Sequence, residues 1–280
     1  MAGILPNDFT VSKLKCGSLR VLDNGGKIVW ISYDNGPLIL QTPEMVAPFG
    51  LSQWDNDKGG KKITLDLSFK GKESRHNLSK FYENLAAIDE RMVHEAFENS
   101  ASWFKKKTSE EVLKELYTPI IRHAKDKNTG EITDRYPATF KVSLPEKDGK
   151  WNFEVYNQNK AAVDLSTLEM KGAKVTALIQ CLGVWIAGTK FGVSWKILQM
   201  RVVPIRKLEG YSIKDQEEDK VEDEDLDEDD LKDDEEVMKH AVGVPQKECN
   251  DDDDDDVIES DDELEEKSPS KAVKKVTKKK

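Results

Sequence analysis

At three places in this sequence, aromatic side chains stand close to lysines or arginines. Phe49 and Trp54 are followed by Lys58, Lys61 and Lys62. Arg122 and Lys125 precede Arg135 and Tyr136. Trp185 is followed by Lys190 and Phe191. A ring offers a face on which a base stacks, and a cation pairs with the phosphate backbone, so this mixture suits a single strand of nucleic acid. Each ring also has an ordinary alternative, which is the hydrophobic core. Trp54 lies in a polar stretch with Gly50, Gly59 and Gly60 and is expected to be exposed. Trp30 and Trp195 lie in apolar strand-like runs and are expected inside. Catalytic patterns are missing from the sequence. His76, His94, His123 and His240 are scattered, and none stands at metal-ligand spacing from a Cys or a second His. There is no GxSxG, no phosphate-binding GxxxxGK[ST] and no GxGxxG. The expectation is a binding protein, not an enzyme, with no cofactor and no metal.

Charge sharpens that expectation. The net charge of −11 hides two opposite parts. Residues 215–280 hold 29 acidic against 11 basic residues, net −18, while residues 1–214 hold 25 acidic against 32 basic, net +7. A basic body with an acidic tail suggests a domain that binds polyanions and carries an interaction tail. Within the tail, 215–266 has no Phe, Trp or Tyr and includes the run Asp251 to Asp256. It cannot bury enough apolar surface to offset its ordering entropy, so it is expected to be disordered. Residues 267–280 turn to seven lysines and no acid. Cys16, Cys181 and Cys249 are far apart with no CxxC spacing, which fits a reducing compartment. The longest apolar run, near 175–187, is well short of the ~20 residues that cross a bilayer. An intracellular protein with no membrane partner is expected.

The elements that position these residues are mainly β. Strands are expected at 18–22, 27–33, 38–41 and 63–69, the first two joined at Asp23-Asn24-Gly25-Gly26. Residues 42–62, with Pro43, Pro48 and three glycines, read as an irregular loop. The apolar period then lengthens. Leu78, Phe81, Tyr82, Leu85, Ile88, Met92, Val93, Ala96 and Phe97 mark one face of a helix over about 76–104, followed by a short helix that Thr108 would cap. Strands return at 120–122, 139–144 and 152–156. The sequence closes with two long apolar segments, 173–186 and 191–203, joined by a turn. Gly183 inside the first marks a bulge or sharp bend. In the second, Val193, Trp195, Ile197 and Gln199 are expected on one face, and Ser194, Lys196, Leu198 and Met200 on the other. The expected fold is an OB-fold-like antiparallel barrel with a helical insertion at about 76–118, in a domain over 1–210. An acidic tail at 211–266 and a basic segment at 267–280 follow it.

The segments LQTPEM…PFG and GVSWKILQ carry a family resemblance. With the basic β-rich body and the acidic tail, the chain resembles the single-stranded-DNA-binding proteins of nucleocytoplasmic large DNA viruses. It is similar, more remotely, to phage replication proteins of that kind. The resemblance covers about 14–203 and the tail. It implies an OB-fold that coats single strands during viral DNA replication, recombination and repair, at a replication site in the host nucleus or cytoplasm. It also implies a tail that competes with DNA and recruits replication proteins. RNA is a possible second ligand. This sequence departs from the phage pattern, in which the acidic tail ends the chain on an aromatic residue; here lysines follow. A second reading is an acidic-tailed scaffold of the histone-chaperone kind with no DNA groove. It leaves the +7 body and its rings beside lysines without a use.

Overall fold

The computed structural model describes residues 3–22, 25–55, 61–126, 129–147, 149–205 and Ile213. The strands are β1 (Leu14–Val21), β2 (Lys27–Tyr33), β3 (Ile39–Gln41), β4 (Met45–Val46), β5 (Leu51–Asp55) and β6 (Lys61–Ser68). Helices α1 (His76–Glu98), α2 (Ser100–Trp103) and α3 (Glu110–Leu116) follow. Then come β7 (Tyr117–Thr118), β8 (Ile121–Arg122), β9 (Thr139–Leu144), β10 (Glu154–Tyr156), β11 (Lys174–Ala187) and β12 (Lys190–Val203).

The main sheet closes on itself. β4 pairs with β6, β6 with β9, β9 with β12, β12 with β11, and β11 with β4 again. All of these pairs are antiparallel except β9–β12, which meets in parallel at Ser143 and Lys196. This is a five-strand OB-type barrel in which β4, β6, β9, β11 and β12 are strands one to five. Its first strand includes β3, which pairs with β11 ahead of β4. Pro43 has no N–H to give the ladder between β3 and β4. Thr42 bridges the gap: its N–H donates to Ala177 O, and its buried hydroxyl accepts from Ala177 N.

The long hairpin has two bulges. Leu182 is an extra residue between the pairs Cys181↔Trp195 and Gly183↔Ser194. Gly183 sits there at φ +124°, and a Cβ on it would lie 2.5 Å from the Val29 carbonyl oxygen. The interruption expected at this glycine is therefore present. Leu198 is the second extra residue, and it reverses the alternation. Trp195 and Ile197 are buried as expected, but so are Met200 and Val202, while Gln199 and Arg201 turn outward.

Other expectations need correction. Residues 42–62 are not one irregular loop, because β4 and β5 lie within them. The long helix ends at Glu98, and a separate turn, α2, follows. Asn99 breaks it by donating its side-chain amide to Glu95 O, a local bond that competes with continued helix. Ser109, not Thr108, stands at the N-cap of α3. The apolar face of α1 is present except at Phe97, which is 43 % exposed, and Tyr82, which is half-buried. Leu78, Phe81, Leu85, Ile88, Met92 and Ala96 are buried, with Phe81 edge-on to Phe140 of the barrel at 6.0 Å.

Candidate nucleic-acid interface

Along β6 the side chains alternate. Ile63, Leu65 and Leu67 enter the barrel core, so Lys62, Thr64, Asp66 and Ser68 take the outer face. Register then assigns their neighbours. On one side, Trp54 of β5 lies directly opposite Lys62, and Ser52 opposite Thr64. On the other side, Ser143 lies opposite Thr64, Lys141 opposite Asp66, and Thr139 opposite Ser68. Beyond β9, Lys196 neighbours Ser143 and Arg122 neighbours Thr139. The outer face of strands two and three thus carries Lys62 and Lys141, with Lys196 of strand five and Arg122 of β8 beside them. From Lys62 to Ser68 it runs ~20 Å, at ~3.4 Å per residue.

One carboxylate interrupts this basic face. Burial pushes the Asp66 carboxyl above its ordinary value of 3.8, while Lys141 and Arg122 pull it down. Those two cations offset much of the cost of holding a charge there. Thr64 is 2 % exposed, and its Oγ1 has no hydrogen-bond partner among the described residues.

The face is bracketed by exposed rings. Phe49 is 66 % exposed and Trp54 50 %. Trp54 is exposed as expected, but it projects from a strand and not from a loop. Lys61 is exposed beside it, and Lys58 lies outside the described residues. At the Arg122 end, the chain between β8 and β9 turns back on itself, with Asp126 N donating to Glu131 O and Thr133 N to Ala124 O. This turn presents Lys125, and next to it the Arg135 guanidinium lies 5.4 Å from the centre of the exposed Tyr136 ring.

The tip of the β11–β12 hairpin does not behave as expected. Trp185 is 6 % exposed and Phe191 is fully buried, so neither presents a face to a base. Phe191 is enclosed by Phe104 at 5.3 Å, Tyr117 at 5.1 Å and Trp103 at 6.5 Å. Trp185 lies across the ladder on Gly192, where a Cβ would come 2.9 Å from its ring. Trp103, Phe104 and Tyr117 cover the aromatic side of this tip, and of the three expected contact residues Lys190 is the one left exposed. Lys141 and Lys196, which the rings beside lysines did not point to, join the face instead. Their polar positions within otherwise alternating apolar strands were the available signal.

Among the described residues, no three His, Cys, Asp or Glu side chains come together in a way that could hold a metal. Burial pushes the thiols of Cys16 and Cys181 up to about 12, which leaves them as un-ionised, unreactive groups. No helix among the described residues is long and apolar enough to cross a membrane.

Comparison with known proteins gives three kinds of likeness. An uncharacterized protein of Acanthamoeba polyphaga mimivirus is 27 % identical over 169 residues, 59 % of this chain; the match spans only 26 % of that relative. The single-stranded DNA-binding protein gp2.5 encoded by bacteriophage T7 superposes with a TM-score of 0.38 at 13 % identity, covering 63 % of this chain and 91 % of the phage chain. The single-stranded DNA-binding protein of bacteriophage Enc34, in complex with single-stranded DNA, superposes with a TM-score of 0.39 at 13 % identity, covering 70 % and 99 %. The profile of a family of unknown function, DUF5871, matches residues 67–218, more than half of the sequence, and the chain belongs to that family.

Proposed function

We propose that this protein binds single-stranded DNA, with little sequence preference, across the outer face of β6 and β9. The observation that carries this reading is Trp54. It is half-exposed and directly opposite Lys62, on the strand-two and strand-three face where barrels of this topology take oligonucleotides. Phe49, Lys141, Lys196 and Arg122 extend the same surface, and Lys61 is exposed at the end of β6 beside it. Bases stack on the rings, and phosphates meet the cations. Lys58, Lys125, Arg135, Tyr136 and Lys190 flank it and complete the proposed contacts.

The finer reading is a role in viral DNA replication, recombination and repair inside infected cells. The acidic segment 215–266 would compete with DNA for the basic face and recruit replication proteins. Geometry at the root of that segment supports the competition. Ile205 packs on Gly172, and Lys171 touches Gly50, the neighbour of Phe49. At Ile205 the chain therefore stands near the Phe49–Gly50 end of the proposed face. Truncation after Lys214 is expected to raise affinity for single strands, most at low salt where screening is weakest.

The test is a binding titration of full-length protein with oligothymidylate, duplex DNA and RNA of equal length at several salt concentrations. Single strands are expected to bind more tightly than duplex, and affinity should fall steeply with salt as counterions are released. Equal affinity for duplex, or no salt dependence, overturns the reading.

A further inference from the structure

A second concave site lies where the outer face of β12 continues past Lys196. Because Leu198 shifts the register, Gln199 and Arg201 point outward on the same edge. Along that edge β10 takes over from β9: Ser143 neighbours Lys196, then Glu154 neighbours Gln199, and Tyr156 neighbours Arg201. The cavity there has a volume of about 330 Å³. Gln41, Tyr156, Lys160, Thr176, Gln199 and Arg201 line it, over a floor of Ala177, Leu178 and Met200.

Its groups are held in place. Arg201 Nη2 donates to Thr176 Oγ1 at 3.4 Å. Tyr156 Oη donates to Glu154 Oε2 at 3.0 Å, and Gln199 Nε2 donates to the same oxygen at 2.8 Å. Lys160 sits at φ +61°, in a turn fixed by Asn157, whose Oδ1 accepts from Asn159 N and Ala161 N. The turn fixes where the Lys160 backbone stands beside the cavity, and its exposed side chain lines the cavity from there.

We propose that this cavity takes one nucleotide of the same DNA strand that crosses the β6–β9 face, so that the strand continues around the barrel past Lys196. The inference rests on the single-strand reading above. A nucleotide fits the chemistry better than an acidic peptide does. Two cations, Lys160 and Arg201, suit one phosphate. The Tyr156 ring offers a stacking surface, and Gln41 and Gln199 offer both donors and acceptors to a base edge. An acidic side chain could meet the two cations, but it offers no planar base for Tyr156 to stack on and no base edge for Gln41 and Gln199 to read.

Full-length protein is titrated with oligothymidylates of about 8 and about 30 nucleotides, one within and one beyond a barrel's usual site of about 4–16 nucleotides. The variant Lys160→Asn with Arg201→Gln removes both cations, and asparagine tolerates the left-handed turn. It is expected to weaken binding of the long strand about tenfold and leave the short strand within about twofold. Trp54→Ala should weaken both. Unchanged affinity for the long strand overturns the inference while leaving the single-strand reading intact. A gain in affinity also overturns it, because the cavity would then hold the acidic segment. If wild-type protein binds neither strand, the single-strand reading fails and takes this inference with it. Photo-crosslinking of wild-type protein to an iodouracil-substituted long strand gives a readout independent of the variant's folding. A Tyr156 adduct supports the inference, and adducts confined to Phe49 and Trp54 refute it.

Discussion

The β5 strand and the β11–β12 tip carry the same sequence pattern, rings beside lysines, yet the fold treats them in opposite ways. At β5, Trp54 keeps half its surface in solvent opposite Lys62. At the tip, Trp185 and Phe191 are covered, while Lys190 faces out with the turn residues Gly188 and Thr189. Both stretches are β-strand, so local structure does not separate them. The difference is a second layer. Trp103, Phe104 and Tyr117, from α2 and the chain that follows it, close over Phe191, whereas among the described residues no equivalent layer covers Trp54. A ring beside a cation becomes a stacking surface only where tertiary structure leaves it bare.

The comparison breaks most sharply at Phe191. Phe191→Ala is expected to cost about 3–5 kcal/mol of stability, the usual loss for a fully buried aromatic. The folded fraction should bind single strands as well as wild type does. Urea unfolding beside a binding titration checks both, and a binding defect without a stability defect would return Phe191 to the site.

The covering layer is itself pinned by a partly buried acid. Asp89 of α1 accepts from Tyr117 Oη at 2.5 Å and from Ile120 N at 3.1 Å. Burial raises its carboxyl from 3.8 to about 6, although those hydrogen bonds pull the other way. The folded value lies above the unfolded one. The stability contributed by protonated Asp89 is therefore complete below about pH 4 and is lost as pH rises through about 6. Two pKa units correspond to about 3 kcal/mol. Asp89→Asn keeps an acceptor for Tyr117 without a charge, so its stability should vary less between pH 4 and 7 than that of wild type. Identical pH profiles for the two proteins would refute this role.

Much of this arrangement was legible in the sequence, for identifiable reasons. The α1 stripe, the strand Thr139–Leu144 and the bulge at Gly183 are written in local periodicity or in a residue type with one steric meaning. What was not legible depends on partners distant in sequence. β4 has two residues and β5 five, in a stretch of prolines and glycines, and their pairing with β6 and β11 defines them. The burial of Phe191 depends on residues more than 70 positions earlier. The inward turn of Met200 depends on one extra residue, Leu198.

Trp54→Ala tests the exposed half of the comparison. Loss of a stacked base should weaken single-strand binding by ~1–3 kcal/mol. Stability should change by about 0.5 kcal/mol or less, as at other exposed positions. A large fall in melting temperature would mean that this ring, like Phe191, serves the core.

The smallest effect is expected at Lys190, where the two regions can be told apart by salt alone. Its neighbour Phe191 is committed to the core, so Lys190 can contribute to binding only as a charge at the tip. The loop between strands four and five is one of the two that contact oligonucleotides in barrels of this kind. If Lys190 neutralises one phosphate, Lys190→Ala removes one counterion-release event. The slope of log affinity against log salt should then fall by about 0.7 in magnitude, with only a small loss of affinity at physiological salt. Trp54→Ala should do the reverse, lowering affinity at every salt concentration with the slope unchanged, because stacking releases no counterions. Titrations of both variants over the same salt range separate the two contributions. An unchanged slope in Lys190→Ala would remove the whole tip from the interface and leave the β5–β6–β9 face to carry the strand.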